Sequence, residues 1–373
     1  MNRKIFAFLF ILIALLSSQS HSEVRVILDE DFYWVTKKGA DEVLERVKAA
    51  GFNVFVPCVW HGRGVTWNSK FKFREPRWEK VRKTGHDPLE YLITKAHSMG
   101  IEVHPWFTVS LRQREFLSEY YDDGTPESSF DMHKPEFREF ITSLVAEVVE
   151  NYQVDGINLD YIRTRGNCDS DYCVKNYAEH GFGDLKNDLS VLKMGNKEWK
   201  KVAAWNAIAI DDVVATVSKL VREKKPHLVL SVSSHAGMQW LKGQGTNSVK
   251  WANEGLIDLI LHIEYSDIPK IRLNLWNKAL SELNDHRKIV MMVGNYEKSA
   301  LDKSNVWPRD ANKVNALFSY SLKKNPSAVG YALYEYRFLS SDQIKVLSIG
   351  ELKTWVPADW LGFKIVPGNL SSE

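Results

Sequence analysis

Cysteine is scarce: three in 373 residues, too few for a small disulfide-stapled scaffold. Cys168 and Cys173 share a polar stretch and can pair in an oxidising compartment, while Cys58 sits in an apolar run and reads as a buried thiol. Without a matching His or Cys pair, the two make only a weak zinc signal. Gly/Ser-rich linkers, low-complexity tracts and internal repeats are also missing, so one domain is expected. Charge of one sign is nearly absent. The formal net charge of +2 includes Arg3 and Lys4, and residues 1–22 contain no acid, so the chain from Glu23 sums to 2 − 2 = 0. A neutral surface argues against nucleic acid or anionic lipid as the main partner.

The longest apolar run, 5–16, has twelve residues, too few to span a bilayer. It follows Arg3 and Lys4 and precedes the small polar residues 17–22. This is the pattern of a secretory signal cleaved before Glu23. The expected organisation is a signal at 1–22, a catalytic domain at 23–350 and a C-terminal extension at 351–373. The mature protein is then secreted or periplasmic, monomeric and without stable membrane insertion.

What the chain does have is a regular alternation. Apolar strands are predicted at 24–28, 53–60, 101–108, 156–161, 228–233, 256–265, 288–295 and 328–334. Amphipathic helices are predicted at 37–50, 88–98, 135–151, up to about 224, 248–254, 270–283, 310–323 and 341–347. Single helices between strands imply parallel pairing. Eight such units predict a (β/α)8 TIM barrel, an α/β fold with extended βα loops. A doubly wound sheet would carry a Gly-rich first turn, and none follows Leu28.

In such barrels the chemistry sits at the carboxyl ends of the strands. Here those ends carry Asp29, Glu30 and Asp31; Trp60, His61 and Arg63; His104 and Trp106; Asp160, Tyr161 and Arg163; His235; His262, Glu264 and Tyr265; Asn295, Tyr296 and Glu297; Tyr334 and Glu335. Aromatic faces beside carboxylates suit a sugar, whose C–H faces are apolar and whose hydroxyls need partners. Glycoside cleavage takes two carboxyl groups, one to protonate the leaving oxygen and one as nucleophile or base. Asp160 is the first choice for the acid, and Glu264, Glu297 and Glu335 compete for the second role. Each has a structural alternative, as a loop cap or ion-pair partner. The four histidines lack paired spacing on one element, so no metal and no cofactor is expected.

Four stretches carry a family resemblance. They are Asn53-Val-Phe-Val-Pro-Cys-Val-Trp60-His-Gly-Arg63-Gly, Asp87-Pro-Leu-Glu-Tyr91 through Ala96-His97-Ser-Met-Gly-Ile-Glu-Val-His104-Pro-Trp106-Phe, His133-Lys-Pro-Glu-Phe-Arg138, and Val154-Asp-Gly-Ile-Asn-Leu-Asp160-Tyr161-Ile-Arg163. In this order they resemble the bacterial family 10-like glycosyl hydrolases, exported (β/α)8 proteins distinct from the family 10 xylanases. The resemblance spans 24–347. It implies hydrolysis of bacterial glycans, including amino-sugar polymers of the cell wall or exopolysaccharide. It carries the fourth-strand aspartate to Asp160 and its aromatic neighbours to Trp106 and Tyr161.

Two departures stand out. Thr164-Arg165-Gly166 replaces the family's proline after the fourth strand, and His262-Ile-Glu264-Tyr265 replaces a Gln and an aromatic pair after the sixth. Family 18 chitinases share the Asp-Gly-x-x-x-Asp opening, but their catalytic Glu would fall on Ile162. The expected activity is a glycoside hydrolase acting on a poly- or oligosaccharide, with Asp160 and Glu264 as the carboxylates. Trp60, His61, Arg63, His104, Trp106, Tyr161, Arg163, His235, His262, Tyr265, Asn295, Tyr296, Glu297, Tyr334 and Glu335 are expected to contact the sugar. A non-catalytic glycan-binding protein on the same scaffold is the alternative, and a metal-dependent deacetylase a third class.

Overall fold

The computed structural model describes residues 23–349 except 84, 114, 269, 301 and 303. The predicted signal and C-terminal extension lie outside these residues. Eight strands alternate with helices. They are β1 (Val24–Asp29), β2 (Val54–Trp60), β3 in two pieces (Glu102–Val103 and Trp106–Thr108), β4 (Gly156–Asp160), β5 (Val229–Ser234), β6 (Leu259–Glu264), β7 (Ile289–Gly294) and β8 (Gly330–Tyr334). Every neighbouring pair is parallel, and β1 bonds to both β2 and β8, so the sheet closes on itself. The (β/α)8 barrel expected from the alternation is the fold observed. No described helix is long and apolar enough to cross a membrane.

The principal helices are α1 (Lys37–Ala49), α2 (Pro88–Ser98), α3 (Pro135–Asn151), α4 (Lys197–Lys224), α5 (Ser248–Asn253), α6 (Leu273–Glu282), α7 (Ala311–Lys324) and α8 (Ser341–Ile349). Their starts follow from local chemistry. Thr36, Asp87, Asn196 and Asp310 accept hydrogen bonds from first-turn amides, and Pro88 and Pro135 occupy positions where no amide hydrogen is needed. Barrel strands are covered on both faces, which is why β2, β6 and β7 are buried along their whole length.

Register sets which side chains reach the interior. Asn158 pairs with Trp106 and Ser231, and its side chain bonds to Ser231 and Ser233, so this column points inward. Asp160, two residues on, shares that face. Asp155 anchors the foot of β4 by accepting from the Val103 amide and from His97, each at 2.8 Å. The glycine after it has a packing reason: a Cβ on Gly156 would lie 2.6 Å from His104 Nδ1. A short antiparallel hairpin, Tyr296–Lys298 with Val306–Pro308, rises beyond β7. The connection after β4 adds two small helices, Asp171–Glu179 and Leu185–Ser190, with their own apolar cluster.

Candidate active site

Asp160 ends β4 on the inner face, 8% exposed, and its Oδ1 accepts the Tyr161 amide at 2.5 Å. Burial pushes its carboxyl up to about 6, and the Glu30 charge adds to this. The Arg163 guanidinium, the Tyr161 amide and His61 oppose it. Tyr161 itself adopts a left-handed backbone, φ +48°, rare for a bulky residue. That turn presents its ring to Arg163 at 5.0 Å and Arg165 at 4.6 Å.

A second carboxyl faces the same mouth. The register pairs Leu28 with Tyr334, so Leu28 and Glu30 share the inward parity with Tyr334. Glu30 accepts from the Tyr334 hydroxyl on one oxygen and lies 2.8 Å from His61 Nε2 on the other. Burial would raise its carboxyl, but the hydrogen bond and charge of His61, the Tyr334 hydroxyl and the Arg77 charge outweigh it and hold it low. A chain of bonds orients His61. Glu75 takes the Arg63 guanidinium at 2.7 and 3.0 Å; Arg63 donates to Gln113 Oε1 at 2.9 Å; the Gln113 amide then donates to His61 Nδ1. Nε2 is left facing Glu30.

Aromatic rings wall this mouth. Tyr265 stacks on Tyr334 at 4.9 Å with 14° between planes, Tyr296 meets both at 5.9 and 6.1 Å, and Trp106 packs edge-on to Tyr334 from below. Tyr265 and Tyr296 also border a cleft of about 630 Å³ with His235, Glu297, Arg309 and Lys313. Arg309 is buried there, and two of its guanidinium nitrogens find no hydrogen-bond partner among the described residues. Neither its partial freedom nor the inward turn of Glu30 was anticipated from the sequence. Only the acidic run at the end of β1 pointed that way.

Several expected contacts are elsewhere. Trp60 is turned outward: an irregularity between Cys58 and Trp60 shifts its register onto Phe107, and its ring packs among Phe73, Phe116, Phe130 and Phe140. Trp60→Ala is therefore expected to cost about 3–5 kcal/mol of stability in urea unfolding, with glycan affinity unchanged. His104 fills the bottom of the interior against Glu102 and Gly156, about 13 Å below Asp160 at 3.3 Å per residue. Arg63 is consumed by Glu75 and Gln113 and acts only through His61. Asn295 is fully buried, its amide spent on the Glu335 N–H and on Gln343. His262 does border the cleft, but its ring packs on Trp276 of α6, on the outer face of the sheet, and burial lowers it to about 3.

Glu264 shares that outer parity. Ser234, its neighbour on β5 by way of His262, bonds outward to Ser248 of α5, whereas Ile263 and Tyr265 point inward. Both Glu264 oxygens are taken by backbone amides, Ser266 at 3.0 Å and Arg272 at 2.9 Å. It shapes the loop into α6 and, with both oxygens so held, lines the cleft of about 630 Å³ beside Tyr265. Glu264→Gln should cost about 1–3 kcal/mol, because the new amide opposes a donor to a donor. A rate within a fewfold of wild type is the expected kinetic result; a hundredfold loss would restore Glu264 as the second carboxylate.

Glu297 pairs with Lys313 at 2.9 Å on the hairpin. Glu335 is 6% exposed, and burial with Glu30, Asp31 and Asp29 nearby pushes it up to about 9. Arg163 stays beside Asp160, with its guanidinium also 5.9 Å from the Trp240 ring.

The model of a family described as glycosyl hydrolase-like 10 matches residues 24–299. The chain belongs to this family. The match includes Glu30, Asp160 and Tyr265, while Tyr334 and Glu335 fall beyond it. Among curated relatives, glycosyl hydrolase DigH of Escherichia coli strain K12 is 27% identical over 215 residues, covering 47% of this chain and 45% of that protein. Glycosyl hydrolase YngK of Bacillus subtilis strain 168 is 20% identical over 265 residues, covering 61% and 46%. The chain thus spans under half the length of these relatives.

Among solved structures, the PgaB (BpsB) glycoside hydrolase domain from Bordetella bronchiseptica superposes with TM-score 0.62 at 10% identity, covering 87% of this chain and 98% of that one. A beta-galactosidase from Bacillus circulans sp. alkalophilus gives 0.61 at 10% identity, covering 84% and 50%. At such identities the likeness is one of fold. This glycosyl hydrolase-like 10 chain has the fold of glycan-acting hydrolases.

Proposed function

We propose that the protein is an exported, monomeric glycoside hydrolase that cleaves an amino-sugar polymer of the bacterial cell wall or exopolysaccharide. Asp160 is the general acid and Glu30 the ionised partner. One observation carries this reading: two inward carboxyls at one barrel mouth are pushed in opposite directions, Asp160 up to about 6 and Glu30 down. Carboxyl pairs whose environments separate them in this way divide into acid and base roles. Asp160 protonates the glycosidic oxygen, and Glu30 acts at the anomeric carbon, directly or through a water. Tyr161, Tyr265, Tyr296 and Tyr334 stack on apolar sugar faces. Arg163, Arg309 and His235 meet hydroxyls or acidic substituents.

The family resemblance supports the glycan class, and the apolar run at 5–16 with the Cys168–Cys173 disulfide supports export. The test is digestion of cell-wall glycan strands and exopolysaccharides by the full chain, with products read by mass spectrometry. Shortened oligosaccharides are the expected result. Saturable binding with no product in any digest would overturn the hydrolase in favour of a glycan-binding protein. Chelator-sensitive acetate release would instead make it a deacetylase.

A further inference from the structure

Asp131 and His133, in the connection between β3 and α3, meet Cys168 and Cys173, in the connection after β4. All four are buried, and one candidate ligand atom from each lies within 4.8 Å of the others. The sequence showed two cysteines without matching ligands; the fold supplies the missing two from a different loop. We propose that these residues form a redox-gated site for a thiophilic divalent cation such as zinc. The dithiol would bind the cation and the disulfide would exclude it.

The spacing supports this. With Zn–S of about 2.3 Å and Zn–N or Zn–O of about 2.0–2.2 Å, tetrahedral ligand atoms lie about 3.3–3.8 Å apart. Here Cys173 Sγ is 3.7 Å from Asp131 Oδ1 and 3.7 Å from His133 Nδ1. His133 Nδ1 is 3.2 Å from the same Oδ1, and Cys168 Sγ is 3.9 Å from the other oxygen of that carboxyl, Oδ2. Only the Sγ–Sγ edge is a covalent bond, and reduction opens it.

A second observation concerns the histidine. Asn206 donates its Nδ2 to the Gly243 carbonyl at 2.9 Å, which fixes the amide so that Oδ1 faces His133 Nε2 at 3.0 Å. Nε2 must therefore carry a hydrogen. Nδ1 then meets a carboxylate and a sulfur, a contact that needs either a proton or a cation between them. Stacking on Trp205, 3.5 Å away with 6° between planes, holds the plane of the ring. The disulfide links two residues of one insertion, whereas the cation would also tie that insertion to the β3–α3 connection.

The chemistry balances with a phosphine reductant. The phosphine takes up the oxygen of one water, becoming the phosphine oxide, and the disulfide becomes two thiols. The cation then displaces both thiol protons, and any proton on Nδ1, into solvent.

The experiment uses the full chain, reduced with a phosphine, freed of reductant and titrated anaerobically with Co²⁺. One Co²⁺ per chain, with thiolate-to-cobalt charge-transfer absorption, is expected for the reduced protein and none for the oxidised. Asn206→Ala should weaken binding about 10- to 100-fold, as loss of an outer-shell partner does. A second readout needs no variant: one equivalent of Zn²⁺ should slow alkylation of Cys168 and Cys173 at least about tenfold, as burial in a metal–thiolate does. The proposal falls if the reduced wild type takes up no more Co²⁺ than a Cys168→Ser, Cys173→Ser variant. It also falls if Zn²⁺ leaves the alkylation rate unchanged.

Discussion

Asp160→Asn should lower kcat on the cleaved glycan by about a thousandfold, or about 4 kcal/mol of barrier at 1.36 kcal/mol per decade. The amide keeps the size of the carboxyl and can still face the Tyr161 amide, so the fold is expected to survive. What is lost is the proton for the leaving oxygen. The pH dependence follows with a definite sign. A general acid works while protonated, and burial holds Asp160 up to about 6. Activity should therefore fall as pH rises through about 6, while the acid limb reports the lowered Glu30 below it. The profile expected is a bell on the acidic side of neutrality. In Asp160→Asn the residual rate should lose its alkaline limb. A rate equal to wild type, or an unchanged alkaline limb, would remove Asp160 from the chemistry.

The fold was legible because its signals are local and repeated. Each strand is an apolar run, and helix after helix opens on Thr36, Asp87, Asn196 or Asp310 or on a first-turn proline. The site was legible only in part, for a reason visible in β6. Leu259, Ile260, Leu261, His262, Ile263 and Glu264 are all buried. A strand covered on both faces has no polar alternation to say which parity points inward, so Glu264 and Tyr265, on opposite faces, are both read as facing the sugar. Trp60 was misread because a register shift cannot be seen in a continuous apolar run. His104 was misread because Pro105 splits β3, leaving His104 near the foot of β4 and not at the carboxyl end. The Asp29, Glu30 and Asp31 run shows the opposite case. Three acids in a row announce an acidic strand end, but only pairing with β8 selects Glu30 as the one that meets Tyr334.

That selection makes Glu30→Gln the more discriminating experiment. A glutamine can still take the Tyr334 hydroxyl and face His61, so stability should change little. The carboxylate proposed to act at the anomeric carbon is gone, and kcat should drop by about 100- to 10,000-fold, the span general acid–base groups contribute. The variant also reads the coupling between the two carboxyls. The Glu30 charge is one of the causes that raise Asp160. Without it Asp160 must titrate lower, so the alkaline limb of the residual activity should move to more acid pH. A merely structural Glu30 would shift neither kcat by this amount nor the limb. The first-formed product anomer, read by NMR on the wild type, then divides the two roles open to Glu30. Retention identifies it as the nucleophile of a covalent intermediate, and inversion as the base for an attacking water.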